Sequence, residues 1–283
     1  MDGEKEDEEE PAPYDEIGKW SEVKLAIIQK YAKAFSTVVG ARKFTTVYID
    51  GFAGAGMHVA KSTGAKVTGS PLNALAVDPP FDRLHFVEKS QRKATRLREF
   101  VAGRSEATIH VGDCNEILPQ SVLPTVRYDQ YRRAFCLLDP YGLDLRWEVV
   151  AKAGEMGTID VLINFPVMDM NRNALRWDTA TVTPSQAARM TAFWGDASWR
   201  NTTRTSTPGL FGEIDEKAPN EAVVEAYRKR LVDAGGFKHA SRPLAMVQKT
   251  RVPVYYLLLA SQRKVAADIM NSIMERYPHG GGA

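Results

Sequence analysis

Thr45-Thr46-Val47-Tyr48-Ile49-Asp50-Gly51-Phe52-Ala53-Gly54-Ala55-Gly56 is the stretch whose reading decides the fold. Thr45 to Ile49 are β-branched or aromatic and read as a buried strand, which Asp50 ends before a turn with three glycines. An apolar strand stopped by a glycine-rich loop marks the carboxyl end of a parallel strand, where α/β sheets bind ligands. Glycine there lets backbone approach a ligand that a Cβ would hold away. The spacing separates cofactors. A dinucleotide fold needs G-x-G-x-x-G with its acid about 20 residues later. This chain has G-x-x-G-x-G with the acid immediately before it. An acid in that place suits a ligand carrying an ammonium group rather than a pyrophosphate. The reading is S-adenosylmethionine, whose amino-acid end carries an ammonium group, and it counts against a nicotinamide dehydrogenase.

Working outward, Trp20 to Tyr31 has helical period, with Leu25, Ile28, Ala32 and Phe35 on one face and Gly40 as the stop. Lys24 reads as lying opposite that face, in solvent. Residues 57–70 read as a loop, and Ser70 as the cap of a helix that Pro71 begins. Further strands are expected at 83–88, 108–114, 134–142 and 159–166, with helices at 92–101 and 147–153 between them. His85 and His110 fall inside strands and read as core histidines. Residues 167–219 lose the pattern, with Met168, Met170, Trp177, Trp194 and Trp199 among polar residues. They read as a mostly helical substrate-recognition insertion after the fifth strand. A helix at 221–234, an apolar strand pair (241–247 and 254–260) and a last helix at 265–277 complete the chain. Strands alternating with helices predict an α/β fold with a doubly wound, mostly parallel, Rossmann-like sheet.

The composition bounds the function. The 283 residues are 44% hydrophobic, enough for one large core, and no apolar run is long enough to span a membrane. No basic region followed by an apolar segment opens the chain, so no secretory signal is expected. Cys114 and Cys136 are too few for a four-cysteine zinc or iron–sulfur site and read as reduced thiols of a cytoplasmic protein. The five histidines have no metal-ligand spacing, so no protein-held metal is expected. The net charge of +2 hides an asymmetry. Residues 1–16 hold nine acids and one base; removing them leaves 36 Lys+Arg against 26 Asp+Glu, or +10. A like-charged block with Pro11 and Pro13 reads as a disordered acidic tail over 1–16, preceding a domain over 17–283. The basic body suits a polyanion such as nucleic acid.

Four predicted strands end in acids at one edge: Asp50, Glu88, Asp113 and Asp139. Each suits one part of S-adenosylmethionine. Asp50 with the loop residues Gly51, Phe52, Ala53, Gly54 and Gly56 would face the methionine moiety. Glu88 can accept from both ribose hydroxyls, and Asp113 from the adenine amino group with Cys114 or Ile117 against the ring. Asp139-Pro140-Tyr141 lies where the reacting group should arrive. Asn164-Phe165 closes the fifth strand beside Asp139, and Asn171-Arg172-Asn173 is a polar cluster suited to phosphate or base.

Asp50-Gly51-Phe52-Ala53-Gly54-Ala55-Gly56, Gly69-Ser70-Pro71-Leu72, Phe86-Val87-Glu88, Leu138-Asp139-Pro140-Tyr141-Gly142 and Leu162-Ile163-Asn164-Phe165 together resemble the three-Cys-motif partner (TcmP) family, over about residues 15–265. The resemblance implies a class I methyltransferase fold and a partner protein with a three-cysteine motif of the radical-SAM type. Asp139-Pro140-Tyr141-Gly142 also resembles a shortened [D/N/S]-P-P-[Y/F] loop of amino-methyltransferases acting on adenine or cytosine. That likeness implies that the acid and a proline-region carbonyl accept hydrogen bonds from an exocyclic amine while the aromatic stacks on a flipped base. With one proline, Tyr141 stands one place early. The expectation is therefore an S-adenosylmethionine-dependent methyltransferase acting on an amino nitrogen of a nucleic-acid base. Two alternatives stay open: a non-catalytic binding subunit of the three-cysteine protein, and a small-molecule methyltransferase.

Overall fold

The computed structural model describes residues 14–175, 181–209, 212–248 and 252–278, and of 205–209 and 212–216 the backbone alone. The chain opens with β1 (Asp15–Ile17) and α1 (Lys19–Gly40) and then forms β2 (Thr45–Asp50). The hairpin β3 (Met57–Ala60) and β4 (Lys66–Thr68) leads into α2 (Ser70–Leu75). Next come β5 (Arg83–Glu88), α3 (Gln91–Val101), β6 (Ala107–Val111) and α4 (Cys114–Ile117). Tight helical turns over 118–130 lead to β7 (Arg132–Leu138), α5 (Trp147–Met156) and β8 (Ile159–Phe165). The segment after β8 holds α6 (Val167–Asn173), α7 (Pro184–Trp194), α8 (Trp199–Thr202) and the strands β9 (Arg204–Gly209) and β10 (Gly212–Lys217). The chain ends with α9 (Asn220–Asp233), β11 (His239–Ala240), β12 (Leu244–Val247), β13 (Pro253–Ser261) and α10 (Lys264–Met274).

The main sheet has eight strands in the order β11-β13-β8-β7-β2-β5-β6, with β12 also on β13. Strands β2, β5, β6, β7 and β8 are parallel; β13 runs antiparallel to β8 and carries β11 and β12 antiparallel. The chain builds outward from β2 through β5 to β6, then returns to β7 and builds the other way. The order therefore reverses between β2 and β7, the topological switch point at which open α/β sheets bind ligands. Asp50 and Asp139 leave the two strands that flank it. This is a doubly wound, Rossmann-like architecture with an antiparallel edge.

Both faces are covered, which is why the central strands are continuously apolar rather than alternating. On one face α1, α2, α3 and α10 bury Ile27, Ile28, Tyr31, Phe35, Leu97 and Met270 against Tyr48, Phe86 and Phe135. On the other, α5, α7 and α9 bury Val149, Val150, Phe193, Trp194 and Tyr227 against Ile49, Cys136 and Phe165. Each fully buried side chain of this size is worth about 1.5–3 kcal/mol.

Several expectations are corrected. Residues 57–70 are not a loop: β3 and β4 pair antiparallel, and β1 adds to β3 in parallel to make a separate three-stranded sheet. Asp15 and Glu16 thus belong to a strand rather than to the acidic tail, whose residues 1–13 lie outside the described residues. Gly69 is the N-cap of α2; Ser70 begins the helix and turns its hydroxyl elsewhere. The segment over 167–219 includes an antiparallel strand pair beside its short helices, and Trp177 lies outside the described residues. Met170, Trp194 and Trp199 are buried in the core, and Trp194 packs against Tyr227.

Candidate functional site

At the carboxyl ends of β2 and β7 the structure opens a cleft of about 250 Å³. It lies between the Phe52–Gly54 loop, the amino-terminal turns of α1, the β1 and β3 strands, and the Asp139–Tyr141 turn. Lys24, Ser70, Asn164 and Tyr255 complete its walls.

Asp50 stands behind the wall. It is completely buried and does not line the cleft, which corrects the expectation that its carboxylate faces a ligand directly. Its Oδ1 accepts from the Phe52 amide at 3.1 Å and its Oδ2 from Ser70 Oγ at 2.6 Å, with Tyr48 Oη at 3.5 Å. Burial pushes its pKa up to about 7, a rise opposed by the Ser70 and Phe52 hydrogen bonds and reinforced by Asp139 and Glu88. Ser70 is the residue that carries this charge to the cleft surface.

The glycine turn is fixed by Glu88, which closes β5. Glu88 accepts the Gly54 amide at 2.8 Å on Oε2 and the Ser90 amide at 2.7 Å on Oε1. Gly54 has φ +66°, a left-handed conformation that side chains other than glycine rarely adopt. Phe52, Ala53 and Gly54 line the cleft; Gly51 and Gly56 support the turn from behind, Gly51 through its amide on Leu137 O. Glu88 itself is not part of the cleft lining, and each of its oxygens has acceptor capacity beyond the one amide it holds.

Asp139 is the centre of a polar cluster. Its Oδ2 accepts from Lys24 Nζ at 2.5 Å and its Oδ1 from Asn164 Nδ2 at 2.8 Å. Asn164 Nδ2 is also 3.4 Å from Pro140 O, and Asn164 Oδ1 is buried with no hydrogen-bond partner. Lys24 is only 12% exposed and stands 5.1 Å from the centre of the Tyr255 ring. Burial alone would lower the lysine's pKa; Asp139, with Tyr255 and Asp50, outweighs it and holds the ammonium above its ordinary value. The solvated reading of Lys24 is therefore corrected. Four and seven residues beyond it are Ile28 and Tyr31, both buried, so Lys24 lies on the inward stripe of α1.

The other anticipated residues separate from this centre. Tyr141 lines the cleft but is 75% exposed; its hydroxyl donates to Asp15 Oδ2 at 2.9 Å, and Lys93 lies 5.4 Å over its ring. Lys93 Nζ also reaches Asp15 Oδ2 at 2.6 Å. Asp15 thereby ties the small sheet to α3 and to the Asp139 turn, although nothing in the sequence distinguished it from the tail acids. Asp113 caps α4 through the Asn115 amide at 2.9 Å and pairs with Lys89 at 3.3 Å, outside the cleft lining. Cys114 is buried in the core, where burial raises its pKa to about 12. Phe165 is fully buried between Phe193 and Tyr227. Asn171 bonds Asn220, and Asn173 bonds Asp169 and accepts from Gln186. With Arg172, these residues stand away from the cleft lining. His58, unremarked in the sequence, lines the cleft with a buried Nδ1 that lacks a partner. His85 and His110 are half-buried neighbours on β5 and β6, 3.2 Å apart.

Among the described residues no group of three or more His, Cys, Asp or Glu side chains is arranged to hold a metal, and no helix is long and apolar enough to cross a membrane. No protein-family model matches the chain, and no curated protein is significantly similar to it. Solved structures of similar fold are distant in sequence. A Legionella pneumophila protein is 11% identical over 92% of this chain and 93% of its own, with a TM-score of 0.48. The N-terminal domain of EvdMO1, solved with SAH bound, is 11% identical over 83% of this chain and 81% of its own, at 0.42. Trm1 from Pyrococcus horikoshii, solved with S-adenosyl-L-methionine, is 11% identical over 91% of this chain, which spans 59% of that protein, at 0.45.

Proposed function

We propose that the protein is an S-adenosylmethionine-dependent methyltransferase acting on an amino nitrogen of a nucleic-acid base. The observation that carries this reading is the acceptor cluster at the switch point. Asp139, Pro140 O and the unpartnered Asn164 Oδ1 converge on a cleft that also presents the glycine turn.

The residues present suit the cofactor. Glu88's spare acceptor positions fit a diol, the Phe52–Gly54 backbone allows close approach, and Asp50 through Ser70 supplies the negative charge an ammonium needs. When bound, S-adenosylmethionine supplies an electrophilic methyl on a sulfonium. The protein's own contribution is alignment and exclusion of water, which can supply much of the rate of such a displacement. Asp139 and Asn164 accept N–H bonds from the amine and fix the direction of its lone pair. Lys24, tied to Asp139, is a positioning residue: it holds the carboxylate in place. The absence of a strong base from this cluster suits an acceptor that loses its proton only after the methyl has moved.

The nucleic-acid assignment is supported by scale and by a basic body, which with Asp15 and Glu16 counted in it carries 36 Lys+Arg against 28 Asp+Glu, or +8. The cleft volume is near the low end of ligand pockets, about 300 Å³, so a single base would enter it rather than a duplex. The three-cysteine partner rests on the motif resemblance. One observation favours the non-catalytic reading: Asp139's oxygens are already engaged by Lys24 and Asn164, and Tyr141 by Asp15.

Transfer of labelled methyl from S-adenosylmethionine to single-stranded RNA and DNA, with wild type and Asp139→Asn, tests the proposal. Methyl should appear on an exocyclic amine, and the variant should lose at least tenfold in kcat with cofactor affinity unchanged. Cofactor binding without transfer to any polynucleotide, alone or with the partner, would leave the non-catalytic subunit.

A further inference from the structure

At the amino ends of the strands, the edge opposite the cleft, α1 and α10 part around a second cavity of about 180 Å³. Its walls are apolar, with Phe35, Val38 and Val39 from α1, Phe44 beyond it, and Ala266 and Ile269 from α10. Two buried charged side chains also line it: Arg133 at the start of β7 and Asp160 at the start of β8, 8% and 4% exposed.

Their hydrogen bonding is unequal. Asp160 is engaged on both oxygens, by Ser261 Oγ at 2.5 Å and Tyr31 Oη at 3.0 Å. Arg133 is left short. Its Nε is buried with no hydrogen-bond partner, and its Nη2 is 3.7 Å from Asp160 Oδ1, an ion-pair distance beyond hydrogen-bond reach. A guanidinium has five N–H donors in a rigid fork, and a buried fork without acceptors forfeits its hydration. The group that matches it is a carboxylate, whose two oxygens accept in parallel.

We infer that this cavity binds a small amphipathic carboxylate, with its apolar body between α1 and α10 and its carboxylate on Arg133. The surrounding charge agrees. Arg42 and Arg263 also line the cavity, both exposed, while the one acid in the lining is already held by two hydroxyls. A purely apolar occupant would leave Arg133 Nε without an acceptor, and a phosphate would bring more charge into an apolar wall than one buried guanidinium matches. The site is separate from the cleft: Tyr31 follows Lys24 by seven residues, about 10 Å along α1. The inference does not depend on the methyltransferase reading.

Titration calorimetry of the full chain with sodium octanoate, and with 1-octanol as a neutral analogue of the same chain length, tests it. Octanoate should bind one site, and octanol at least tenfold more weakly. Arg133→Met, unbranched and apolar, should weaken octanoate at least tenfold and leave octanol unchanged. That variant also removes the counter-charge of Asp160, so Val265→Trp is the second test. Val265 lines the cavity and is 49% exposed, and the larger ring there should obstruct octanoate without touching Arg133. Equal affinity for octanoate and octanol, octanoate binding unchanged in a folded variant of either kind, or no binding of octanoate at millimolar concentration would overturn the assignment.

Discussion

Asp50 offers a test of the cofactor site that needs no turnover. Its pKa of about 7 makes the buried carboxyl a mixture of neutral and charged forms near neutrality. An ammonium bound in front of Ser70 interacts with the charged form and lowers that pKa. Affinity for S-adenosylmethionine should therefore rise with pH as Asp50 ionises. From a pKa of about 7 the carboxyl is about 3% ionised at pH 5.5 and about 50% at pH 7. If only the ionised form holds the ammonium, Kd should fall about 15-fold over that range, about 1.6 kcal/mol at 1.36 kcal/mol per tenfold. The range lies below the amino group's own ionisation at about 7.7–8.0, so the ligand's charge stays constant. Binding at pH 7 should also release about half a proton, read by calorimetry in buffers of different ionisation enthalpy. Asp50→Asn keeps an acceptor for the Phe52 amide, turns an N–H toward Ser70 Oγ, which can accept it, and cannot ionise. It should bind weakly, with no pH slope and no proton release. A pH-independent wild-type Kd with no proton release would refute the idea that Asp50 senses the cofactor's charge. A slope that survives in Asp50→Asn would move it to another group.

The same shift has a stability consequence with a definite sign. A carboxyl whose folded pKa exceeds its unfolded value of 3.8 favours folding in its protonated form and loses that advantage as pH rises through about 7. Asp50→Asn should thus be more stable than wild type at pH 8, by up to about 4 kcal/mol in denaturant unfolding, with the gap closing toward pH 4. For the Lys24–Asp139 pair, removing one partner leaves the other buried and unpaired. Asp139→Ala should cost about 3–5 kcal/mol. The double variant Lys24→Met, Asp139→Ala should recover much of that, and a double-mutant cycle showing additive losses would place Lys24 in solvent after all. Glu88→Gln should weaken S-adenosylmethionine and reduce amide-exchange protection at Gly54; unchanged affinity would remove Glu88 from the cofactor site. Binding of single-stranded RNA should weaken steeply between 50 and 200 mM salt if the basic body contacts phosphates, and a flat profile would favour a small-molecule acceptor.

The parts of this molecule that could be read from the sequence are those governed by local pattern. The run Thr45–Asp50, its glycine turn and the acids closing later strands sit where strand period and turn chemistry put them, whereas the switch point is seen only in the spatial order of the strands. What stayed hidden depends on contacts between distant segments. Strands β1, β3 and β4 have three or four residues each, too short for alternation to show, and β1 pairs with a strand about 40 residues later. Asp15 looked like one more tail acid because its partners, Lys93 and Tyr141, are supplied by other elements. Ser70 has the right chemistry for a helix cap and is used instead to bridge buried Asp50 to the cleft. Lys24 is the instructive case, because its signal was present. Spacing of four and seven residues to Ile28 and Tyr31 puts it on the buried stripe, yet a lysine there is unfavourable unless something pairs it. Asp139, more than a hundred residues away, is that partner. An inward lysine on an otherwise apolar stripe therefore argues for an acid across the fold, and the candidates were already marked at the strand ends. Arg133 obeys the same logic with a different outcome. It too is a buried cation, on a strand rather than a helix, but its facing acid is taken by two hydroxyls, leaving Nε without an acceptor beside an apolar cavity. One buried cation is satisfied within the chain and marks the proposed reaction centre. The other is not, and the acceptor it lacks is the part a ligand would supply.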